Sequence, residues 1–412
     1  MRCAVLSIGT EILFGQIVNT NSAFLSSELN LLGFDVMYHH TVGDNNGRLA
    51  KLLQEILPEC DMIIATGGLG PTEDDLTKET ITEVFGDELV VHAESLAALE
   101  GYAKRRGFEL TENNYKQTMM PSKAVVFDND IGTAPGFALS KDGKTVICMP
   151  GPPKEMTRMW ERRVKPYLER FSDETIYYRV IRTFGIGESS LETRLLPLIE
   201  AQTDPTIATY AKDGESTVRV ASKRKSVEEA KTAVADMTDR IREIIGDKIY
   251  SIDDEDYCEA VGKELIRRKI TISACESCTG GMFSSQLINV EGISAVFDRG
   301  LVTYSVEAKS EELGIPIALI DRFGAVSPET AIEMARGLRK KTGSMICISS
   351  TGVAGPDADG DLPAGLMYVG IIYNGNEHVR EIRTGKTDRN ANRYYCCLCM
   401  FDEIRKIISD HS

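Results

Sequence analysis

The chain has 412 residues, 42% of them hydrophobic and 26% charged, a balance typical of globular proteins and not of disordered or fibrous ones. This length exceeds one ordinary hydrophobic core, so we expect two or three domains. The 62 acidic and 47 basic residues leave a net charge of −15. An acidic surface argues against binding to nucleic acids or anionic membranes, and we expect neither as a partner.

The sequence contains no apolar stretch long enough to cross a bilayer, and the apolar run that follows Met1 is too short for a signal peptide. We therefore expect a cytoplasmic protein. Ten cysteines are scattered along the chain. Disulfide frameworks belong to small secreted domains, so these cysteines are expected to be reduced and mostly to fill cores.

The first 170 or so residues alternate between strand and helix patterns. Apolar runs at residues 3–8, 34–38 and 62–65 predict strands, and leucines at helical spacing lie between them. Repeated strand–helix units predict an α/β fold with a doubly wound parallel sheet, which binds ligands at the carboxyl ends of its strands.

The pattern then changes to a small α+β module. Strands are predicted at residues 177–183 and 216–222, and helices at 191–201 and 227–245. An acidic run at 253–256 is interpreted as a solvated linker or a helix start. The last 150 or so residues alternate again, with strands predicted in the following segments: 270–274, 300–304, 344–350 and 365–373.

The segment ACESCTGG, residues 274–281, follows the first strand of this last region. A turn between a strand and a helix presents free amide donors and the positive end of the helix dipole. Ser277 in that turn is a candidate nucleophile for a carbonyl, with the amides of Cys278, Thr279 or Gly280 as oxyanion donors.

A serine nucleophile needs a base. The region has one histidine, His378, in a polar stretch that resembles a hairpin, so a Ser-His-Asp triad is not favoured. Lys309, just beyond the predicted strand at 300–304, is the better candidate, because burial lowers the pKa of a lysine. Tyr304 is a candidate to relay the proton or to hold the oxyanion.

Other interpretations of ACESCTGG stay open. The turn is also compatible with a phosphate cradle without chemistry, and Cys275 with Cys278 forms a Cys-x-x-Cys pair that is compatible with redox chemistry. A zinc site is disfavoured, because neither a second Cys-x-x-Cys nor paired histidines follow at zinc spacing. A separate cluster of three cysteines is interpreted as core packing: Cys396, Cys397 and Cys399.

A glycine-rich loop at residues 67–72 follows the third predicted strand. It matches neither a Walker loop nor the dinucleotide-binding glycine pattern, but its glycines allow a ligand to approach the backbone. Asp74 and Asp75 after it are candidates either to cap the next helix or to hold a hard divalent cation against a pyrophosphate. Four residues that follow other strands are expected at the same edge: Glu11, Asn19, Asn21 and Asp44.

Four ordered segments resemble the C-terminal domain of the CinA family: residues 275–281, 297–309, 324–327 and 350–356. That family is associated with deamidation of nicotinamide mononucleotide to nicotinate mononucleotide and ammonia. The resemblance implies an α/β/α deamidase domain without a cofactor, with Ser277 as nucleophile and Lys309 and Tyr304 as its activating partners. It also implies substrate-binding residues: Glu276, Cys278, Thr279, Gly280, Thr351, Gly352, Gly355 and Arg389. Arg393 is an alternative to Arg389 for the substrate phosphate.

The N-terminal segments 9–13, 19–21, 42–44, 66–77, 132–136 and 149–153 resemble the molybdopterin-binding (MoaB/MogA-like) domain in its CinA form. The resemblance implies metal-dependent hydrolysis of ADP-ribose to AMP and ribose 5-phosphate, with a divalent ion of the Mg, Mn or Co class. The implied metal ligands are Asp75, Asp74, Asp44 and Glu11, and the implied substrate-binding residues are Gly67, Gly68, Gly70 and Thr72. A non-catalytic nucleotide- or molybdopterin-binding protein is the alternative.

The middle module resembles the KH-like domain of full-length CinA proteins. Residues 185–188, Gly-Ile-Gly-Glu, lack the Gly-x-x-Gly clamp of RNA-binding KH domains, so we interpret the module as a spacer or a dimer contact and expect a homodimer. The predicted domains are MoaB/MogA-like (1–170), KH-like (171–252) and deamidase (253–412). Together they would recycle pyridine-nucleotide breakdown products.

Overall fold

Strands and helices alternate through most of the chain in the computed structural model, which describes residues 1–107, 109–171 and 175–410. The predicted α/β class is confirmed. Two compact units are present, Met1–Tyr177 with Ser222–Thr232, and Tyr178–Ala221 with Ala233–Ser412. Within the described residues, no helix has the length and apolar character required to span a membrane.

The described residues between 1 and 171 form eight strands and eight α-helices. The strands are β1 (Arg2–Ile8), β2 (Asp35–Val42), β3 (Met62–Thr66), β4 (Leu89–Val91), β5 (Met119–Pro121), β6 (Val125–Phe127), β7 (Gly136–Lys141) and β8 (Lys144–Met149). The helices are α1 (Thr10–Leu13), α2 (Thr20–Leu31), α3 (Asn46–Ile56), α4 (Thr77–Phe85), α5 (Ala93–Arg106), α6 (Glu112–Lys116), α7 (Pro153–Met159) and α8 (Lys165–Leu168). A π-helical segment, Trp160–Val164, joins the last two, and a 3₁₀ turn, Glu169–Phe171, follows them.

The main sheet of this unit has the order β2-β1-β3-β8-β7-β6. Strands β2, β1, β3 and β8 are parallel, as predicted, but β7 and β6 are antiparallel to their neighbours. The purely parallel prediction is therefore wrong at this edge. The reason is the two-residue turn Asp142–Gly143, whose φ angles of 50° and 76° are those of a tight hairpin turn.

Apolar side chains cover both faces of the main sheet. All five residues of β3 are buried, as expected for a strand between two helical layers. On α3 the apolar residues Leu49, Leu53 and Ile56 face the core, and burial of each such side chain contributes roughly 1.5–3 kcal/mol. This packing holds the carboxyl ends of β1 and β3 side by side.

The remaining elements begin with the middle module. Its strands are β9 (Thr175–Phe184), β10 (Thr206–Lys212), β11 (Glu215–Arg224) and β12 (Ile249–Ser251), and its helices are α9 (Glu188–Glu200) and α10 (Val227–Ile245), followed by the 3₁₀ turn Gly246–Lys248. The strands form a sheet of order β10-β11-β9-β12. Gly187 precedes α9 as its N-cap residue. Phe184 at the end of β9 packs on Tyr257, with ring centroids 5.5 Å apart, so this sheet shares the core of the C-terminal part of its unit.

The C-terminal part contains five strands and six α-helices. The strands are β13 (Ile272–Glu276), β14 (Phe297–Val302), β15 (Ile346–Gly352), β16 (Leu366–Tyr373) and β17 (Asn376–Arg383). The helices are α11 (Tyr257–Arg268), α12 (Met282–Leu287), α13 (Val306–Leu313), α14 (Ile317–Phe323), α15 (Pro328–Thr342) and α16 (Arg389–Asp410), with a 3₁₀ turn at Ile293–Ala295. The acidic run proves to be a helix start, because Asp256 is the N-cap residue of α11.

The C-terminal sheet has the order β14-β13-β15-β16-β17. Strands β14, β13 and β15 are parallel, and β16 and β17 form an antiparallel hairpin through the turn Asn374–Gly375. At this hairpin the sheet departs from the predicted parallel pattern. An Asn-Gly pair favours a tight turn that reverses the chain, so the strand after it runs antiparallel. Because β13, β14 and β15 are adjacent and parallel, the segments that leave their carboxyl ends meet at one edge.

Candidate functional site

Ser277 lies in the turn that leaves β13 and is 8% exposed. Its backbone amide donates to the carbonyl of Ser350 on β15, at 2.9 Å. This bond ties the turn to the neighbouring strand, so the position of the serine is set by the sheet and not by a free loop.

Lys309 on α13 contacts the serine directly. Its Nζ lies 3.1 Å from Ser277 Oγ and donates to the carbonyl oxygens of Thr303 and Tyr304, at 2.9 and 3.0 Å. The lysine is 1% exposed, and burial lowers the pKa of its amine below the ordinary 10.5. A neutral amine has two N–H donors and one lone pair. When the amine is charged, its three N–H groups donate to the three oxygens; when it is neutral, the two carbonyl oxygens use its two donors and the lone pair faces the hydroxyl of Ser277.

Tyr304 is placed differently from the prediction of a proton relay. It contacts Lys309 through its backbone carbonyl, while its phenol is exposed and accepts a hydrogen bond from Arg389 Nη2 at 3.2 Å. The residue lies two positions beyond the end of β14, so its side chain is free to turn outward. The phenol lines the cavity over Ser277 and is placed to contact a substrate there.

Glu276 does not line this cavity, contrary to its predicted substrate-binding role. It is 1% exposed, and its carboxylate accepts hydrogen bonds from the amides of Phe283 and Ser284, at 3.1 and 2.9 Å, and from the hydroxyl of Ser284. These groups belong to the first turn of α12, which begins at Met282. The expected free helix end next to Ser277 is therefore absent, because the chain's own carboxylate caps it.

The side chain of Thr279 and the amide of Gly280 are turned away from the predicted binding role. Thr279 is fully buried, with its Oγ1 2.6 Å from Ser350 Oγ. The amide of Gly280 donates to the carbonyl of Ser277, so it is not available to an oxyanion. The amides of Cys278 and Thr279 remain as the candidate oxyanion donors.

The end of β15 and the loop that follows it form another part of the cavity wall. Thr351, Gly352 and Gly355 line the same cavity as Ser277 and Lys309. The hydroxyl of Thr351 donates to the carbonyl of Ala325, so this loop offers mainly backbone groups. A side chain at Gly352 is excluded, because its Cβ would lie 2.4 Å from Met367 Cγ.

The two candidate arginines differ in position. Arg389 at the start of α16 lines the cavity and donates to the carbonyl of Gly355 at 2.8 Å. Arg393, one turn later, donates to the carbonyl of Thr279 at 2.9 Å and belongs to the supporting structure behind the turn. The geometry therefore favours Arg389 over Arg393 as the cation that faces a ligand.

These groups enclose a cavity of about 260 Å³ with Ser277 and Lys309 in its wall. Asp357 and Asp359 also line it, and the sequence reasoning missed both. They follow the loop of residues 351–355 directly, which is the signal that would have found them. His378 lies elsewhere, on β17 with its Nε2 3.4 Å from a carboxylate oxygen of Glu403.

The two cysteines near Ser277 differ in position, because Cys275 is packed in the core whereas Cys278 reaches the wall of the cavity. Cys275 is fully buried on β13, and burial raises the pKa of its thiol well above the ordinary value. Cys278 is 5% exposed and hydrogen-bonded to Cys396, which lowers the pKa of its thiol. Cys396, Cys397 and Cys399 lie in the core, as predicted.

If the domain has the deamidase activity that the resemblance implies, Cys278→Ser should retain ammonia release from nicotinamide mononucleotide within about threefold of the wild type, because serine is close to cysteine in shape and the expected nucleophile is Ser277. The measurement is initial ammonia release by both proteins at equal concentration. A loss above tenfold, together with an active Ser277→Ala protein, would instead assign the chemistry to the thiol.

The N-terminal glycine loop leaves β3 and approaches β1 closely. Gly67 has φ of 102°, and a Cβ there would lie 2.0 Å from the carbonyl oxygen of Ile8, so only glycine fits. The hydroxyl of Thr77 donates to the carbonyl of Gly67 at 3.0 Å. The loop lines a cavity of about 590 Å³. All eight predicted N-terminal site residues lie in its wall: Glu11, Asp44, Gly67, Gly68, Gly70, Thr72, Asp74 and Asp75.

The acidic residues after the loop do not cap the next helix, contrary to one of the two predictions. Helix α4 begins at Thr77, and its N-cap residue, Leu76, makes no side-chain cap. Asp75 instead closes a turn, with one carboxylate oxygen that accepts from the amide and the hydroxyl of Thr72, at 2.9 and 2.5 Å. The carboxylate is therefore held toward the cavity by its own turn.

Across the cavity, Asp44 is held in a similar way. One of its carboxylate oxygens accepts from the amide and the hydroxyl of Thr10, at 2.9 and 2.8 Å. Within residues 1–107, 109–171 and 175–410, no group of three or more His, Cys, Asp or Glu side chains is placed to hold a metal ion. The carboxylates thus do not fit an all-protein metal cage. A Mg²⁺ ion held by one or two carboxylates together with substrate phosphates would not need such a cage.

A further residue of this cavity, Gln117, follows α6 and lies in the wall. The sequence reasoning missed it, because no glycine or acidic motif marks the segment. Asn19 and Asn21 do converge on the same edge as support. Asn19 caps α2, and Asn21 donates to the carbonyl of Gly151 at 2.8 Å.

Three family descriptions match the chain in succession. Residues 4–170 match a family described as "Probable molybdopterin binding domain", residues 178–251 the "Damage-inducible protein CinA KH domain", and residues 254–408 the "CinA C-terminal domain". The predicted resemblances are therefore confirmed.

Relatives match over nearly the full length. The "CinA-like protein" of Dictyoglomus turgidum is 45% identical over 407 residues, which cover 98% of this chain and 99% of that protein. The "CinA-like protein" of Dictyoglomus thermophilum matches with the same identity and coverage. A crystal structure of the protein CinA, of unknown function, from Thermoplasma acidophilum is 34% identical over 40% of this chain and 98% of that one, with a TM-score of 0.38. By its full-length relatives, the chain belongs to the CinA family.

Proposed function

We propose that the C-terminal site deamidates nicotinamide mononucleotide to nicotinate mononucleotide and ammonia. One observation carries the proposal: a buried lysine amine, Lys309 Nζ, lies 3.1 Å from the hydroxyl oxygen of Ser277 at the wall of a cavity. An amine whose pKa is lowered by burial is the kind of base that a serine hydroxyl requires.

The first half of the reaction forms an acyl-enzyme. Ser277 Oγ attacks the carboxamide carbon and transfers its proton to the neutral amine of Lys309. The amides of Cys278 and Thr279 stabilise the oxyanion. The carbon–nitrogen bond then breaks, and the proton on Lys309 passes to the leaving nitrogen, so ammonia departs as a neutral molecule.

The second half restores the enzyme. A water molecule gives a proton to Lys309 and attacks the ester carbon, and the ester bond to Ser277 Oγ breaks as Lys309 returns that proton to the serine. Arg389 is the cation that lines the cavity and is assigned here to the substrate phosphate. No cofactor takes part in these steps.

The N-terminal cavity is the basis for a second activity, hydrolysis of ADP-ribose to AMP and ribose 5-phosphate. Its support is the convergence of the glycine loop with two anchored carboxylates, Asp44 and Asp75, on one cavity. The loop amides would bind the pyrophosphate, and Asp44 and Asp75 would hold a divalent cation that neutralises its charge. The alternative is a nucleotide- or molybdopterin-binding site without turnover.

We expect Asp75→Asn to lower AMP formation from ADP-ribose by at least about tenfold, because an amide is a weaker ligand for a hard cation. An asparagine oxygen can still accept from Thr72, so the turn is preserved. AMP is measured by chromatography with magnesium, manganese or cobalt added in turn. Asp142→Asn, in the exposed β7–β8 turn, is the matched control. If Asp75→Asn forms AMP as fast as the wild type, Asp75 only stabilises its turn and takes no part in the reaction.

A further inference from the structure

Gln117 has a side-chain amide oxygen that the described residues leave without a hydrogen-bond partner. The residue is 2% exposed and lines the N-terminal cavity, and within the described part of the chain its Oε1 is buried without a hydrogen-bond partner. Buried side-chain amides nearly always have partners, because an unpaired polar atom costs the free energy of its lost hydration. An unpaired amide in a cavity wall therefore points to a ligand.

The backbone beside Gln117 is held firmly, so the unpaired amide does not reflect a loose segment. Lys78 on α4 is 1% exposed and donates from Nζ to the carbonyl of Lys116 at 2.8 Å. In return, Lys116 Nζ donates to the carbonyls of Asp75 and Thr72, at 2.6 and 3.2 Å. These reciprocal bonds join the end of α6 to the turn that carries Asp75. Gln117 and Asp75 thus occupy one rigid part of the cavity wall.

The chemistry of the unpaired atom defines the group that it can bind. An amide oxygen only accepts hydrogen bonds, and phosphate oxygens at neutral pH are acceptors as well. A hydrogen-bond partner of Oε1 must therefore be a donor such as a hydroxyl or an amine, which a fully ionised phosphate lacks. We infer that the Gln117 amide turns toward the cavity and accepts a hydrogen bond from the sugar or base of a nucleotide whose phosphates lie on the glycine loop. The inference rests on the proposed N-terminal function and adds the residue that selects nucleotides over bare phosphates.

The test is calorimetric titration of the full chain in the presence of magnesium, with the non-cleavable α,β-methylene analogue of ADP-ribose as the ADP-ribose probe and, separately, with methylenediphosphonate as the pyrophosphate probe. We expect Gln117→Leu to weaken ADP-ribose binding by about tenfold and to leave pyrophosphate binding unchanged. Because leucine removes an unpaired buried polar atom, the melting temperature of the ligand-free protein should be equal to or higher than that of the wild type. Gln54→Leu, exposed on α3, is the matched control.

Each other outcome overturns the inference. Equal losses for both ligands, or a lower melting temperature in Gln117→Leu, would show a structural role for the amide. Unchanged ADP-ribose binding would show that the amide does not meet the ligand. If the wild type binds neither ligand, the nucleotide function of the N-terminal domain falls together with the inference. If the wild type binds the ligands but Gln117→Leu shows a structural role for the amide, only the inference about Gln117 is overturned. The proposed nucleotide function of the domain then stands.

Discussion

Ser277→Ala is expected to lower ammonia release from nicotinamide mononucleotide by at least about 10³-fold, the scale on which loss of a catalytic nucleophile is felt. The side chain is small and 8% exposed, and its removal leaves the backbone bond from Ser277 to Ser350 intact. The variant should therefore fold normally and bind substrate. Ammonia release and the melting temperature are measured on the same preparation.

The matched control is Ser285→Ala, an exposed serine on α12, which should keep full activity. Mass spectrometry of the wild type after rapid acid quenching with substrate should show a nicotinate mononucleotide adduct on the peptide that contains Ser277. Full ammonia release by Ser277→Ala would contradict serine catalysis. The turn would then be a ligand-binding loop, one of the interpretations that the sequence leaves open.

Lys309→Met is expected to lower ammonia release by about 10²- to 10⁴-fold, the usual contribution of general acid–base catalysis. Methionine has a similar length and suits a buried position, but it cannot accept the proton of Ser277. Lys309→Arg should be equally inactive, since a guanidinium stays protonated. Lys340→Met, an exposed lysine on α15, is the control and should have wild-type activity.

The dependence of ammonia release on pH in the wild type should also identify Lys309 as the base. Burial disfavours the charged amine of Lys309 and lowers its pKa below 10.5, so the active neutral form is populated at a lower pH than for an exposed lysine. Ammonia release should rise with pH up to that lowered pKa. Residual activity of Lys309→Met should lack this rising limb. A profile that is flat with pH, or the same limb in Lys309→Met, would assign the base to another group.

The same pKa shift affects stability. Because the native state binds the proton of Lys309 less tightly than the unfolded state does, native stability should increase as the pH rises from the lowered pKa toward 10.5. Below the lowered pKa both states are protonated, and the native state carries the full cost of a buried cation. The proposed deamidase site would therefore cost the native state stability, which is the pattern that a lysine with the proposed role would show.

Much of both sites was predictable from local patterns. The helix at Val227–Ile245 has the predicted bounds, because a long amphipathic pattern determines a helix almost alone. Residues 67–75 and the pair Ser277 and Lys309 were also predicted. Glycine runs and polar residues directly after apolar strands mark the carboxyl ends of a sheet, where ligands bind.

The errors share a cause, which is that side-chain direction depends on contacts between distant segments. Glu276 looked like part of an exposed motif, but its carboxylate caps the first turn of α12. Tyr304 was predicted to relay a proton or to hold the oxyanion, but Lys309 contacts it through its backbone carbonyl. Gln117 carries no motif at all and became visible through the cavity that it lines.

By itself, the sequence determined the alternation of strands and helices, the two ligand-binding edges and the family. These depend on periodicity and on short motifs, which are local properties of the chain. The tertiary structure decided which groups meet. It brought Lys309 Nζ to 3.1 Å from Ser277 Oγ and chose Arg389 over Arg393 for the cavity wall. Only the packing of strands β13, β14 and β15 side by side could place groups 32 residues apart within hydrogen-bond distance and exclude enough water to change a lysine pKa.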